Sequence, residues 1–405
     1  MVKQIIQRLK TADLTKYKSI PFWSWNGTLE KEVLREQIRW MHDSGIGGFF
    51  MHARSGLKTE YLSEEWMECI EVCTEEAEKL GMDAWAYDEN GWPSGFVGGK
   101  LLEDPQNCDQ YILAKQGDYD ADASVSYLLT EQEMVRVHEK SVEGTYLNLY
   151  ICTSNSTADI LNPAVVDKFL ALTHEAYKER FGKDFSKKIK GFFTDEPQYQ
   201  RWHTPYTRML ESYYREHFGE DILDSLGLLF VEKQGYRAFR YRYWKTLQHL
   251  MLESFGRKTF EWCDKNGVQI TGHYIQEDTL AGQMLCCGGI MPFYEYEHIP
   301  GIDWLGRESK NELSPRQVVS VARQLGKKQV LTETFAVCGW DVLPGDLRRI
   351  AGFQYVNGVN LMCQHLIPYT ECGTRKYDYP AHYSPINPWV KEDFKDFNDY
   401  FTRLG

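Results

Sequence analysis

Short apolar runs alternate with longer amphipathic stretches along almost the whole chain. Ser19–Trp25 is apolar and ends at Asn26–Gly27, and Leu29–Ser44 then carries Leu29, Val33, Ile38 and Met41 at helical spacing before stopping at Gly45. Ile46–Met51 predicts a second strand, and Ser63 predicts the N-cap of a helix running to Gly81. Asp83–Tyr87 predicts a third strand, closed by Asp88, Glu89, Asn90 and the turn-rich Gly91-Trp92-Pro93-Ser94-Gly95. Further strands are expected at Ile189–Phe193, Val268–His273, Gly301–Trp304, Gln329–Thr332 and Val359–Gln364, with helical patterns at Pro163–Phe181, Ser314–Leu325, Gly345–Val356 and Pro388–Leu404.

Eight strands mostly separated by helices predict an α/β fold of the (β/α)8 barrel type, with residues 1–405 as one catalytic domain. Two segments break the rhythm. Residues 111–153 alternate apolar and polar positions (Val125, Tyr127, Leu129; Val135, Val137) and predict an inserted antiparallel patch. Residues 201–266 predict a long helical excursion. No glycine-rich phosphate loop follows any strand, which counts against an open dinucleotide-binding sheet.

In a barrel of this kind the C-terminal strand ends share one face. That face would collect Trp25 and Asn26; His52 and Arg54; Asp88, Glu89 and Asn90; Asp195 and Glu196; His273 and Glu277; Asp303; Glu333; and Gln364 and His365. Glycoside cleavage needs one protonated and one ionised carboxyl group flanking the scissile bond. Glu196 and Glu333 end the fourth and seventh strands, nearly opposite one another, and are the expected catalytic pair. Asp195 would raise the pKa of Glu196 by like-charge repulsion, as suits a general acid. Each glutamate alone also fits a structural salt bridge with a helix arginine. Trp25, His52, Arg54, Asp88, Glu89, Trp92, Asp195, His273 and His365 are the expected substrate-binding residues, with Trp92 a stacking platform. Carboxylate and amide oxygens at this rim suit calcium better than zinc, and no HExxH spacing occurs, although His52, His273 and His365 leave a three-histidine site open. No GxSxG elbow supports a serine nucleophile.

Composition narrows the partners. Aromatic residues make up 14% of the chain, including 12 Trp and 25 Tyr, which fits both a large α/β core and sugar-stacking surfaces. A net charge of −12 argues against nucleic acid or an anionic membrane as partner. The 10 cysteines lack CxxC pairing, and the reading is of small buried hydrophobes rather than a disulfide framework. Met1–Lys10 has scattered charges and no apolar core, so the sequence as it stands reads as cytoplasmic; a trimmed secreted enzyme would look the same.

Three strand-end motifs carry a resemblance. Pro21-Phe22-Trp23-Ser24-Trp25-Asn26-Gly27, Gly45-Ile46-Gly47-Gly48-Phe49-Phe50-Met51-His52-Ala53-Arg54, and Tyr87-Asp88-Glu89-Asn90-Gly91-Trp92-Pro93-Ser94-Gly95 resemble the catalytic domain of glycoside hydrolase family 106, and Phe193–Pro197 and Thr332–Phe335 fit the same likeness. The resemblance implies a (β/α)8 barrel, α-L-rhamnosidase activity by an inverting mechanism, and a calcium ion that holds sugar hydroxyls. It further implies Glu196 as general acid and Glu333 as the base that activates water, and it leaves the calcium ligands unassigned. Members of that family usually carry β-sandwich domains beyond the barrel, so the resemblance implies either a trimmed chain or a minimal relative. Glutamates on strands four and seven also resemble the retaining β-glycosidases, whose strand-four acid follows an Asn where this chain has Asp195. A non-catalytic carbohydrate-binding barrel is another alternative, and so is a metal-dependent isomerase or hydrolase, which would need three or more strand-end ligands converging within coordination distance.

Overall fold

A computed structural model describes residues 3, 6–7, 13–199, 202–308 and 312–405. The leader-free reading of Met1–Lys10 therefore falls mostly outside the described residues, as does Arg201. Among the described residues, nine parallel strands supply the frame: β1 (Phe22–Trp25), β2 (Gly48–Ala53), β3 (Asp83–Asn90), β8 (Gly191–Asp195), β10 (Gln269–His273), β11 (Gly301–Trp304), β12 (Leu331–Thr334), β13 (Leu361–Gln364) and β14 (Ile367–Pro368). The remaining strands, β4 (Cys108–Gly117), β5 (Val125–Leu129), β6 (Met134–Val137), β7 (Thr145–Ala158) and β9 (Thr204–Tyr206), are antiparallel.

The frame is two parallel sheets, ordered β10-β8-β3-β2-β1-β14 and β11-β12-β13, and not the continuously hydrogen-bonded closed barrel that the strand count predicts. At one seam a single parallel bridge joins Thr271 of β10 to Ile299, just ahead of β11. At the other, β13 and β14 follow each other in sequence but pair into different sheets, and the Ile20 N–H donates to the Met362 carbonyl at 2.8 Å. The ladder is interrupted at both seams, yet the two sheets enclose one apolar interior. Phe22, Phe50, Trp85, Tyr87 and Phe193 from the larger sheet pack with Leu331, Leu361 and Cys363 from the smaller.

Period-2 alternation decides what each strand contributes. Phe22, Phe50 and Phe193 point inward and meet edge to face, with Phe22–Phe193 and Phe50–Phe193 centroids 4.6 and 4.8 Å apart. Trp23, Trp25, Phe49, Met51, Phe192 and Ile270 belong instead to the larger core between sheet and helices. The helix Glu64–Leu80 shows how local chemistry sets that layer. Ser63 Oγ accepts the Trp66 N–H at 3.2 Å, Gly81 ends the helix at φ 67°, and Trp66, Ile70, Cys73 and Ala77 form its buried stripe.

The inserted patch is present and larger than expected. Its five strands run in the order β6-β5-β7-β4-β9, and β9 comes from inside the segment expected to be helical. That segment otherwise holds the helix Met209–Phe218, two 3₁₀ turns, and a long helix from Tyr236 that passes through a π-helical stretch at Leu252–Arg257 into Lys258–Lys265. All cysteines are free. Among the described residues no helix is long and apolar enough to cross a membrane.

Candidate active site

The register places four polar side chains in one layer above the interior aromatics. His273 pairs with Asp195 across β10–β8, and Asp303 pairs with Glu333 across β11–β12. Each lies two residues beyond an inward or axial position (Phe193, Thr271, Gly301, Leu331), so alternation returns it to the inner face. Glu196 follows immediately after β8. Its backbone sits in the left-handed region (φ 48°), and its N–H donates to the His273 carbonyl at 3.1 Å. A non-glycine residue held there costs on the order of 1–3 kcal/mol, a strain that clusters at functional sites.

These residues line a pocket of about 350 Å³ together with Arg54, Ser55, Gly91, Trp92, Leu305, Ala336, His365, Asp378 and Tyr379. Its floor is a chain of polar contacts. The Tyr87 hydroxyl lies 2.6 Å from Asp195 Oδ2, His273 Nε2 lies 3.6 Å from Asp195 Oδ1, and the same nitrogen lies 2.6 Å from Glu333 Oε2. Ser94 ties the far side, its hydroxyl accepting the Asp195 N–H at 2.8 Å. At the mouth, the Trp92 indole N–H donates to Glu196 Oε2 at 2.8 Å. Glu277 carries the layer across to β11, its carboxylate accepting the Asp303 N–H at 3.0 Å.

Both glutamates are pushed well above the usual carboxylate range, by different neighbours. Burial raises the Glu196 pKa well above the usual carboxylate range, and Asp303, Asp195 and Glu333 add repulsion that His273 partly offsets. The sequence expectation named Asp195 as the repelling neighbour; Asp303 on the facing sheet is the stronger one. Burial and Asp195 also raise Glu333, but the Arg54 guanidinium opposes them. Arg54 is held by Asp378 through Nε and Nη2 at 2.8 and 2.9 Å; burial acts against its charge, and the ion pair outweighs it. His365, 3.4 Å from Arg54 Nη2, is pushed down to about 3 by burial and by that guanidinium and is neutral.

Of the expected site residues, Glu196, Glu333, Arg54, Trp92, Asp195, His273 and His365 reach this pocket. Four do not. Trp25 points outward and packs on Trp23 and Trp66 at centroid distances of 5.3 and 4.8 Å, because it is odd in register with inward Phe22. His52 points inward but lies beneath the pocket, stacked on Tyr87 at 3.6 Å, with burial and Arg54 keeping it neutral. Asp88 is fully buried and accepts the Ser94 hydroxyl at 2.5 Å. Glu89 accepts the backbone N–H groups of Asn90, Gly95, Phe96, Val97 and Gly98, so it organises the loop that presents Trp92 and has no capacity left for a ligand. Asp378 and Tyr379 were not expected: they come from an irregular segment that leaves no periodic signal.

One cluster of acidic and imidazole groups bears on metal binding. Asp195, His273 and Glu333 bring one ligand atom each within 4.8 Å of one another, and no three-histidine cluster forms among the described residues. Calcium takes six to eight oxygen ligands. Two carboxylates and an imidazole nitrogen already bonded to one of them do not fit it.

No family model matches the chain, and no curated protein matches it by sequence. Its fold is shared by solved glycoside hydrolases. A rhamnosidase from Novosphingobium sp. PP1Y is 12% identical with a TM-score of 0.72, over 98% of this chain and 60% of that one. A β-galactosidase from Marinomonas ef1 is 9% identical with a TM-score of 0.58, over 95% and 59%. An endo-1,4-β-D-mannanase from Thermotoga petrophila RKU-1 is 9% identical with a TM-score of 0.53, over 95% and 99%. The chain thus spans about 60% of the rhamnosidase's length, and at these identities the likeness is one of fold.

Proposed function

We propose that the chain is a glycoside hydrolase of the family 106 type that cleaves an α-L-rhamnoside or related linkage by an inverting, two-carboxylate mechanism. On this reading the two parallel sheets form the wall of a (β/α)8 barrel, and residues 1–405 act as one catalytic unit. The observation that carries the proposal is the arrival of Glu196 and Glu333 in one pocket from different sheets. The three strand-end motifs and the fold shared with the Novosphingobium rhamnosidase support the choice of sugar.

Glu196, kept protonated by burial and neighbouring carboxylates, gives its proton to the glycosidic oxygen as the bond to the anomeric carbon breaks. Glu333, where Arg54 opposes the upward push of burial and Asp195, takes a proton from the water that attacks the opposite face. Asp195 and Asp303 offer acceptors to sugar hydroxyls, and the half-exposed Trp92 offers an apolar ring beside the leaving group. Hydrolysis of a nitrophenyl glycoside panel by the wild type, Glu196→Gln and Glu333→Gln tests this, with NMR of the first-formed anomer reporting stereochemistry. Turnover of the α-L-rhamnoside with inversion, lost in both variants, is the expected result. A retained anomer would move the site to the two-step mechanism, and binding without turnover across the panel would make the protein a carbohydrate-binding barrel.

A further inference from the structure

Glu333 poses a problem that the two-carboxylate scheme leaves open. A base must be ionised before it can accept a proton, yet Glu333 is only 5% exposed and Asp195 lies close by. Burial of an unpaired carboxylate favours its neutral form. The group in direct contact with Glu333 is His273, itself 1% exposed. His273 Nδ1 is buried with no hydrogen-bond partner among the described residues. The ring proton is therefore best placed on Nε2, where Glu333 Oε2 lies at 2.6 Å and Asp195 Oδ1 at 3.6 Å. Asp195 cannot swing away to accept that proton more closely. Its other oxygen takes the Tyr87 hydroxyl, its N–H is bound by Ser94 Oγ, and its carbonyl accepts the Ser94 N–H at 2.8 Å.

We propose that His273 is a positioning residue for Glu333: its Nε2–H, steered by Asp195 and Tyr87, fixes the carboxylate's orientation and holds it ionised for proton abstraction. His273 thus acts through Glu333, and the assignment as a sugar contact is replaced. The charged and titratable groups around the pair are Asp195 at the end of β8, Glu196 just after it, Asp303 on β11, Arg54 after β2 and Tyr87 on β3. Arg54 is engaged bidentately by Asp378, which leaves His273 the donor in hydrogen-bond contact with Glu333. When the water's proton reaches Glu333, the carboxyl becomes neutral and the Nε2–H bond weakens, so the proton can leave to solvent and restore the starting state.

This inference rests on Glu333 being the base, and the two can fail separately. The experiment compares kcat, KM and the pH profile of wild type, Glu333→Gln, His273→Leu and His273→Gln on a glycoside that the wild type hydrolyses. His273→Leu removes the donor and is expected to lower kcat on the order of 10²-fold, the low end of a positioned base's contribution, with KM nearly unchanged. Its acidic limb should move to higher pH, because Glu333 without the donor holds its proton more tightly. His273→Gln keeps an N–H near the same position and should recover part of kcat and return the limb toward the wild-type position. A rise in KM at constant kcat would make His273 a sugar contact and overturn the proposal. A fall in kcat with an unmoved limb would make it a merely structural residue and overturn it too. Should Glu333→Gln retain full activity, the catalytic reading itself fails. The wild-type ring gives a measurement independent of variant folding: its ¹⁵N spectrum, assigned by difference from His273→Gln, should show the proton on Nε2, and a proton on Nδ1 would overturn the proposal.

Discussion

Asp88–Glu89 and Asp195–Glu196 are tandem acid pairs at the ends of β3 and β8, strands that lie side by side in one sheet. In the first pair Glu89 gathers five backbone N–H groups and Asp88 takes the Ser94 hydroxyl, so both serve the fold. In the second, Asp195 turns inward to His273 and Tyr87, while Glu196 faces the pocket among like charges. Residue types are the same in both, but Asp88 and Glu89 lie inside β3, whereas Asp195 ends β8 and Glu196 follows it. What separates Glu89 from Glu196 is whether backbone N–H groups satisfy the carboxylate. The two pairs are also joined, since the loop that Glu89 organises carries the Trp92 indole onto Glu196.

The comparison breaks most visibly at the second pair. Glu196→Gln and Glu333→Gln should each lower kcat by about 10²–10⁴-fold, the range of a positioned acid or base, with little change in melting temperature. Steady-state kinetics beside thermal unfolding check this, and a large loss of stability would reassign the residue to the frame. The first pair should behave in the opposite way. Glu89→Ala leaves several N–H groups without their acceptor and should cost about 3 kcal/mol or more in urea unfolding, with activity falling only as Trp92 loses its position. Unchanged stability would mean that the loop holds itself.

Trp92→Phe sharpens the link between the pairs. Removing the indole N–H withdraws a donor that favours the charged form of Glu196, so its pKa rises and the alkaline limb of the rate profile moves up in pH. Rates should fall roughly tenfold, the value of one hydrogen bond in this setting. The smallest effect belongs to a third buried acid, Asp159. Burial pushes its pKa up to about 7, with Asp109 adding repulsion and Thr207 Oγ1 donating at 2.7 Å. Its folded pKa lies above the unfolded value of 3.8, so its stabilising contribution is complete below pH 3.8 and is lost as pH rises through 7. Asp159→Asn should therefore gain about 1 kcal/mol relative to wild type between pH 6 and pH 7 in denaturant titrations. A difference independent of pH would show that Asp159 is ionised throughout.

Much of the frame was readable in the chain. Gly301–Trp304 and Pro388–Leu404 have the predicted bounds, and Ser63 and Gly81 cap their helix as capping chemistry requires. Strand ends were harder. β3 runs on to Asn90 and β8 to Asp195, because their last residues are polar and a hydrophobic pattern stops before them. Alternation, carried through β1 from Phe22, would have turned Trp25 away from the pocket. Other features had no local signal: Glu89's N–H partners are gathered by a loop, the interrupted ladder depends on how β13 and β14 divide between sheets, and Asp378 meets Arg54 from 324 residues away. Such contacts follow from tertiary packing.

The most direct measurement of the central claim is the pH dependence of kcat/KM for wild type, Glu196→Gln and Glu333→Gln on one hydrolysed glycoside. The wild type should give a bell, Glu333→Gln should lose the acidic limb, and Glu196→Gln should lose the alkaline limb. A bell with both limbs intact in either variant would contradict the assignment of that glutamate as acid or base.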